Sequence, residues 1–331
     1  MLTFVARRVA LMIPTLVLIS IVTFTIIQLP PGDFLTTYVT NLSAQGEQVD
    51  PAEVAALRAR YGLDEPLPAQ YLTWIWGIVS DGDFGRSFEW NRPVAEMISD
   101  RLPLTIVFMA ATVVFTWIIA FPIGLYSAIR QYSITDYVAT TIGFLGLAIP
   151  NFLLALALMW MGLNVFGQDS VGGLFSPEYR DAAWNLGKVL DLAGHLWVPM
   201  VVLGTAGTAG LIRILRANLL DELRKPYVTA ARARGMPERR LLLRYPMRVA
   251  LNPFVSTIGW VLPVLIGGEV IVSSVLSLET TGPLLLSSLQ SQDMYLAGSI
   301  ILLVSVMTVI GTLISDLLLA WLDPRIRHGM A

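Results

Sequence analysis

The sequence predicts an all-α membrane protein with about six transmembrane helices, both termini in the cytoplasm, and a helical extracytoplasmic insert between spans 1 and 2. Three observations carry this reading. Of 331 residues, 55% are hydrophobic and only 14% are charged, where a soluble domain carries about 25% charged residues; mean hydropathy is +0.67. The apolar residues arrive in long blocks, not in alternation. The lysines and arginines concentrate in alternate gaps between those blocks.

The elements follow in order. Residues 1–29 are the N-terminal tail and the first span, whose apolar part begins at residue 9. Residues 103–126, 137–166, 196–212, 250–272 and 296–322 also come near the roughly 20 residues that cross a hydrocarbon core. The first four blocks contain no Lys, Arg, Asp or Glu, and a charge at the centre of a span would cost about 2.5–3.5 kcal/mol on insertion scales. The fourth is the shortest, and Gly204, Gly207 and Gly210 weaken it further. The first block follows Arg7 and Arg8 as a signal peptide would. Its length exceeds the 7–15 residues or so of a signal core and no small-x-small site follows, so it reads as an uncleaved span.

Placing the N-terminus and the even-numbered loops in the cytoplasm puts 15 of the 22 Lys and Arg there and leaves 7 outside. That bias sets orientation. Between residues 30 and 101 acids outnumber bases 11 to 5, which suits an extracytoplasmic insert spanning 30–102. Within it, Asp50-Pro51-Ala52-Glu53 predicts a helix start and Gly62 its stop. A second helix over 69–79 carries Leu72, Ile75, Trp76 and Val79 at helical spacing, with Trp74 and Trp76 suited to the membrane interface. Turn residues follow from Asp81 to Gly85. The insert reads either as a lid on the outer face or as a docking surface for a soluble partner.

Residues 103–331 form the remaining five-span core, and its cytoplasmic loop over 213–248 is the most informative segment. Ten bases against Asp221, Glu222 and Glu238 give it a net charge of +7. Pro226 opens a short helix through Arg234, Gly235 supplies a left-handed cap, and Pro237 opens the next helix. The chain then returns to the membrane through Asn252-Pro253. Alanines at 230, 231 and 233 allow another backbone to approach closely, and the arginines around them can pair with carboxylates. The plainer alternative is a basic loop that only contacts anionic lipid. Nucleic-acid binding would need a folded reading domain outside the membrane, and the sequence holds none.

Other chemistries are excluded or disfavoured. There is no cysteine, and His195 and His328 are the only histidines, so thiolate sites and histidine metal clusters fail. His195, beside Trp197, reads as interfacial. A membrane-embedded hydrolase would need paired catalytic groups at one depth. A secondary transporter or channel, the rival class, would show midplane charges and two related halves, whereas spans one to four carry no charge. Glu269 and Asp316 lie near span ends and read as solvated or paired. Gly259, Pro263, Gly267 and Gly268 punctuate span five and Gly143, Gly146 and Pro150 span three; the first four are candidate lining residues of a translocation path, although such residues also serve helix packing.

The run Tyr227-Val228-Thr229-Ala230-Ala231-Arg232-Ala233-Arg234-Gly235 resembles the E-A-A-x-x-x-G loop of ABC importer permeases, in the form of the peptide/nickel subgroup. Arg7-Arg8 with Ile13-Pro14-Thr15, Pro31-Gly32-Asp33, Tyr61-Gly62-Leu63-Asp64, Gly82-Asp83-Phe84-Gly85, Arg101-Leu102-Pro103, Ala250-Leu251-Asn252-Pro253, Gly267-Gly268 and Asp323-Pro324-Arg325-Ile326-Arg327 resemble the same family in order. Thr229 stands where the motif has glutamate, so that acid's role does not carry over. Tyr245-Pro246-Met247-Arg248 and Glu279-Thr280-Thr281-Gly282-Pro283 also depart from the pattern.

The resemblance implies an oligopeptide or dipeptide permease of the "B" type in a bacterial inner membrane, with oligosaccharides or nickel complexes as alternative cargo. It implies a second homologous permease subunit in a heterodimer, two cytoplasmic ABC ATPases and an extracytoplasmic solute-binding protein. This chain would hold no cofactor; ATP and Mg would be bound by the ATPases. In keeping with that, the sequence has no G-x-x-x-x-G-K-[ST] phosphate loop, since Gly187-Lys188 lacks both the upstream glycine and the following hydroxyl. Residues 227–235 would then take up motion from the ATPases. Arginine at Ala231 or a bulky residue at Gly235 would uncouple transport.

Overall fold

The computed structural model describes residues 2–29, 35, 39, 51–60, 64–167, 172–258 and 269–322. Among them the chain is helical, and its only β pairing is an isolated bridge between Arg86 and Pro93. Twelve helices are bounded among the described residues: α1 Leu2–Gln28, α2 Pro51–Arg60, α3 Leu67–Asp81, α4 Val94–Ile129, α5 Ile134–Ala148, α6 Asn151–Asn164, α7 Leu186–Leu223, α8 Pro226–Ala233, α9 Glu238–Arg244, α10 Pro246–Ser256, α11 Thr281–Gln290 and α12 Met294–Leu322.

Four helices (α1, α4, α7 and α12) are long and apolar enough to cross a membrane, and α5 with α6 makes a fifth if the bent pair is one span. The expected span over 250–272 runs through residues 259–268, which lie outside the described residues. The expected single span over 137–166 is instead two helices meeting at 105°. Pro150 has no N–H, and its ring disfavours helical geometry at the residue before it; Ile149 accordingly turns extended, at φ −83 and ψ 123.

The fourth span is longer than its hydropathy. The expected 196–212 is the middle of α7, a 38-residue helix. Its inward residues Lys188, Leu192, Leu196, Pro199, Leu203, Leu211, Leu215 and Leu219 recur at helical spacing well past both ends of the apolar run. Of the three glycines that weakened the sequence signal, Gly204 serves packing and Gly210 has open space where a Cβ would stand. A Cβ on Gly204 would lie 2.9 Å from the Phe115 ring.

By contacts the described chain forms two units. The first comprises 1–9, 106–279 and 308–331. Its core joins α4, α7, α9 and α10 through Ala120, Ala128, Leu215, Leu219, Leu242, Met247, Ala250 and Phe254, and the Trp117 ring meets Phe254 edge-on at 4.7 Å. Helix α5 lies antiparallel against α7. Gly143 faces Ala209, Gly146 faces Thr205, and Arg216 grips Asp136 through Nε and Nη2 at 2.9 Å each. Beyond the other end of this pair, Ser176 donates to Asp191 and buried Lys188 donates to the carbonyls of Arg180 and Ala182, binding residues 176–182 to α7. Arg8 pairs with Asp316 at 3.2 Å. His195 lies within α7, its Nδ1 2.9 Å from the Asp191 carbonyl.

The second unit comprises 10–105 and 280–307. Helix α3 is as expected but extends by two residues at each end. Gly82, at φ 65, caps it and its N–H reaches the Gly77 carbonyl. Only one of its two paired tryptophans is exposed: Trp76 is 71% accessible, while Trp74 is 3% accessible, stacked on Phe24 at 5.8 Å over Gly298. The segment after α3 is pinned by Asp293, just before α12. Its carboxylate accepts from Ser87 Oγ and from the N–H of Phe88 and Leu296.

Candidate functional site

The site lies in the first unit, in the chain that leaves α7. Lys225 ends that stretch, and Pro226 takes the first position of α8, where its missing N–H costs nothing. Val228 is fully buried and holds the helix against the body, with half-buried Ala231 one turn on. The helical period then turns Pro226, Thr229, Ala230 and Ala233 outward together, and all four are exposed. The result is a face of small side chains flanked by exposed Arg232 and Arg234. Of the three alanines that the sequence offers for close approach, Ala230 and Ala233 are exposed and Ala231 is half-buried.

Helix α8 closes with a Schellman pattern: the Gly235 N–H donates to the Arg232 carbonyl at 2.9 Å and the Met236 N–H to the Ala231 carbonyl at 3.3 Å. Gly235 is left-handed at φ 74, as its position after the last helical turn predicts. Pro237 then starts α9, which buries Leu241 and Leu242, and Pro246 starts α10, which buries Met247, Ala250 and Phe254. So α8 continues through two short turns into the packed core against α7.

Two polar contacts fasten α8 at its ends. Tyr227 Oη donates to Glu222 at 2.5 Å, and its ring lies 6.4 Å from that of Tyr245. Burial, with the Glu222 carboxylate second, pushes the Tyr227 phenol well above its ordinary value. Across the Gly235 turn, Arg232 Nε donates to both Glu238 oxygens at 3.1 Å, with Nη2 also on Oε1. That pair raises the Arg232 guanidinium and lowers the Glu238 carboxyl. Around this clasp Arg224, Lys225, Arg234, Arg239, Arg240, Arg244 and Arg248 are exposed. The surface is basic, firm in shape and anchored from beneath.

The other candidates fall elsewhere. Gly259, Pro263, Gly267 and Gly268 lie outside the described residues. Glu269 is fully buried and accepts from Ser273 Oγ at 3.0 Å. No group of three or more His, Cys, Asp or Glu capable of holding a metal occurs among the described residues. Sequence reasoning missed the Asp136–Arg216 pair and the Asp293 clasp. Ser133, capping α5 by accepting from the Asp136 N–H, was a visible local signal; the distant partner had none.

Four helices long and apolar enough to cross a membrane, with a basic, glycine-turned surface helix after α7, mark a multi-pass membrane protein. The chain belongs to the family described as binding-protein-dependent transport system inner membrane component, which matches residues 120–328; the N-terminal component of the same systems matches residues 1–109. It is a permease subunit of an ABC importer in the inner membrane, working with ATPase and solute-binding partners, and is a transport component and not an enzyme. Three relatives align over nearly their whole lengths. The oligopeptide transport system permease protein AppB of Bacillus subtilis is 36% identical over 329 residues, 99% of this chain and 100% of that protein. The dipeptide transport system permease protein DppB of Escherichia coli K12 is 30% identical over 343 residues, 99% of each. The peptidoglycan transport system permease protein YejB of Agrobacterium fabrum is 27% identical over 356 residues, 98% of this chain and 97% of that protein.

Proposed function

We propose that this chain forms one side of a translocation path for oligopeptides or dipeptides and that α8 is the element through which ATP-driven motion reaches it. In this reading the chain crosses the membrane six times with both termini inside, pairs with a second, homologous permease, and leaves ATP and Mg to two ATPases. Gly259, Pro263, Gly267 and Gly268 line the path in span five.

One observation carries the coupling role: α8 presents Pro226, Thr229, Ala230 and Ala233 as a single exposed, small-residue face while Val228 fixes it to the body. Such a face suits a groove in another protein, where close backbone approach gives shape fit and the surrounding arginines meet acids. The anchors beneath, through α9 and α10 to α7, let displacement of α8 move spans and not merely a loop. The peptide cargo is supported by the substrates for which AppB, at 36% identity, and DppB, at 30%, are named.

The test is ATP-driven uptake by the importer reconstituted with its second permease, ATPases and binding protein. Labelled di- and oligopeptides should accumulate, and Ala230→Arg should cut accumulation by roughly thirtyfold while the complex still inserts. Uptake of nickel complexes or oligosaccharides in place of peptides overturns the cargo. Undiminished uptake by Ala230→Arg overturns the coupling role.

A further inference from the structure

A groove in the first unit, about 210 Å³, runs along the seam of α5 and α7. Its walls are Gly143, Phe144 and Leu147 on one helix and Ala209 on the other, and its far end carries Arg213 and Arg216. The antiparallel pairing sorts the lining by depth. Asp136 opposite Arg216 marks the charged end, toward α8, and Gly146 opposite Thr205 marks the apolar end.

The charges at that end do not cancel. Arg216 is spent on Asp136 through Nε and Nη2. Arg213 lies one turn along the same face, is exposed, and makes no ion pair or side-chain hydrogen bond among the described residues. One uncompensated guanidinium thus stands at the mouth of an apolar trough between two candidate spans. A molecule with an anion at one end and hydrocarbon along the rest complements both. A free anion would leave the trough wet, and an apolar helix would leave Arg213 facing hydrocarbon without a partner, which is costly.

We propose that this groove binds an anionic glycerophospholipid, its phosphate on Arg213 and the free N–H groups of Arg216, and one acyl chain against Phe144 and Leu147. Basic pockets between transmembrane helices are suited to such headgroups. The Arg216–Asp136 pair holds the second guanidinium in place. The bound lipid wedges the seam between α5 and the helix that leads into α8.

Native mass spectrometry of the assembled importer, delipidated and titrated with phosphatidylglycerol or phosphatidylcholine, tests this. Phosphatidylglycerol should be retained on this subunit and phosphatidylcholine should not. Arg213→Gln should weaken retention about fivefold, the weight of one interfacial charge, and Arg213→Lys should recover most of it. Thr140→Trp, which fills the groove from its exposed wall, should weaken it without touching any arginine. Equal retention of the two lipids, or full retention by both Arg213→Gln and Thr140→Trp, overturns the proposal. So does displacement of phosphatidylglycerol by inorganic phosphate alone, which would mark an anion site indifferent to the acyl chain. Because the chain has no cysteine, Thr140→Cys gives a single clean cross-linking position; its capture by the second permease would show the groove covered by protein and overturn the proposal as well.

Discussion

Ser87 and Asp293, 206 residues apart in sequence, meet through a 2.5 Å hydrogen bond in a fully buried contact. The same carboxylate also takes the Phe88 N–H at 2.8 Å and the Leu296 N–H at 3.2 Å, so one side chain caps α12 and shapes the turn that follows α3. Every partner is a donor, which demands an acceptor on both oxygens.

Asp293→Asn therefore replaces one acceptor with a donor facing donors. It should destabilise the second unit by about 1–3 kcal/mol, read as a lower thermal midpoint of the purified importer. An unchanged midpoint would mean that the clasp is dispensable.

Acidity gives the same residue a second readout. Burial holds the Asp293 carboxyl above its ordinary 3.8, more strongly than its hydrogen bonds pull it down. A carboxyl raised by folding contributes most at low pH, and that contribution shrinks as pH climbs through the raised value. The slope of thermal midpoint against pH, from the ordinary 3.8 upward, should be flatter in Asp293→Asn than in the parent chain.

On α8 the two exposed alanines should matter more than the half-buried one. Ala230→Arg or Ala233→Arg should cut ATP-driven uptake by roughly thirtyfold, the weight of about 2 kcal/mol at a central interface position. Ala231→Ser should be mild. Uptake measured in proteoliposomes at equal subunit incorporation decides between them.

Gly235 has no atom within 4 Å of where a Cβ would stand, so a substitution there is penalised through the backbone alone. Gly235→Val should cost about 1–2 kcal/mol of local stability, whereas Gly235→Asn, tolerant of the left-handed region, should retain most uptake. Limited proteolysis at the α8–α9 turn measures the local opening directly.

A Cβ at Gly146 would collide with the Thr205 methyl. Gly146→Ala should lower the thermal midpoint by the equivalent of about 1–3 kcal/mol, and adding Thr205→Ala should recover most of it. Failure of the second change to rescue the first would place the strain elsewhere.

What could be read from the chain was local. Pro226, Gly235 and Pro237 punctuate α8 and α9 where the sequence puts the breaks, because a missing N–H and a free φ act on their own residue and its neighbours. Gly82 ended α3 for the same reason. Partnerships could not be read this way: nothing near Asp136 names Arg216, and nothing near Ser87 names Asp293. The length of α7 escaped because hydropathy counts apolar residues, while its ends are held by a buried stripe that includes Lys188. The phase of α8 escaped because eight residues carry too little periodicity to say that Val228, and not Ala230, turns inward.

The corner at Ile149 and Pro150 has a consequence for the whole subunit. Helices of 15 and 14 residues rise only about 22 Å each, short of a hydrocarbon layer about 30 Å deep. At the bend, carbonyls of the last turn of α5 lose the amide donors that a continuous helix would supply, and lipid tails offer none. An elbow of this kind cannot face oil. It must sit at headgroup depth or be sheltered by polypeptide, and a subunit expressed alone should be starved of that shelter wherever a neighbour normally provides it.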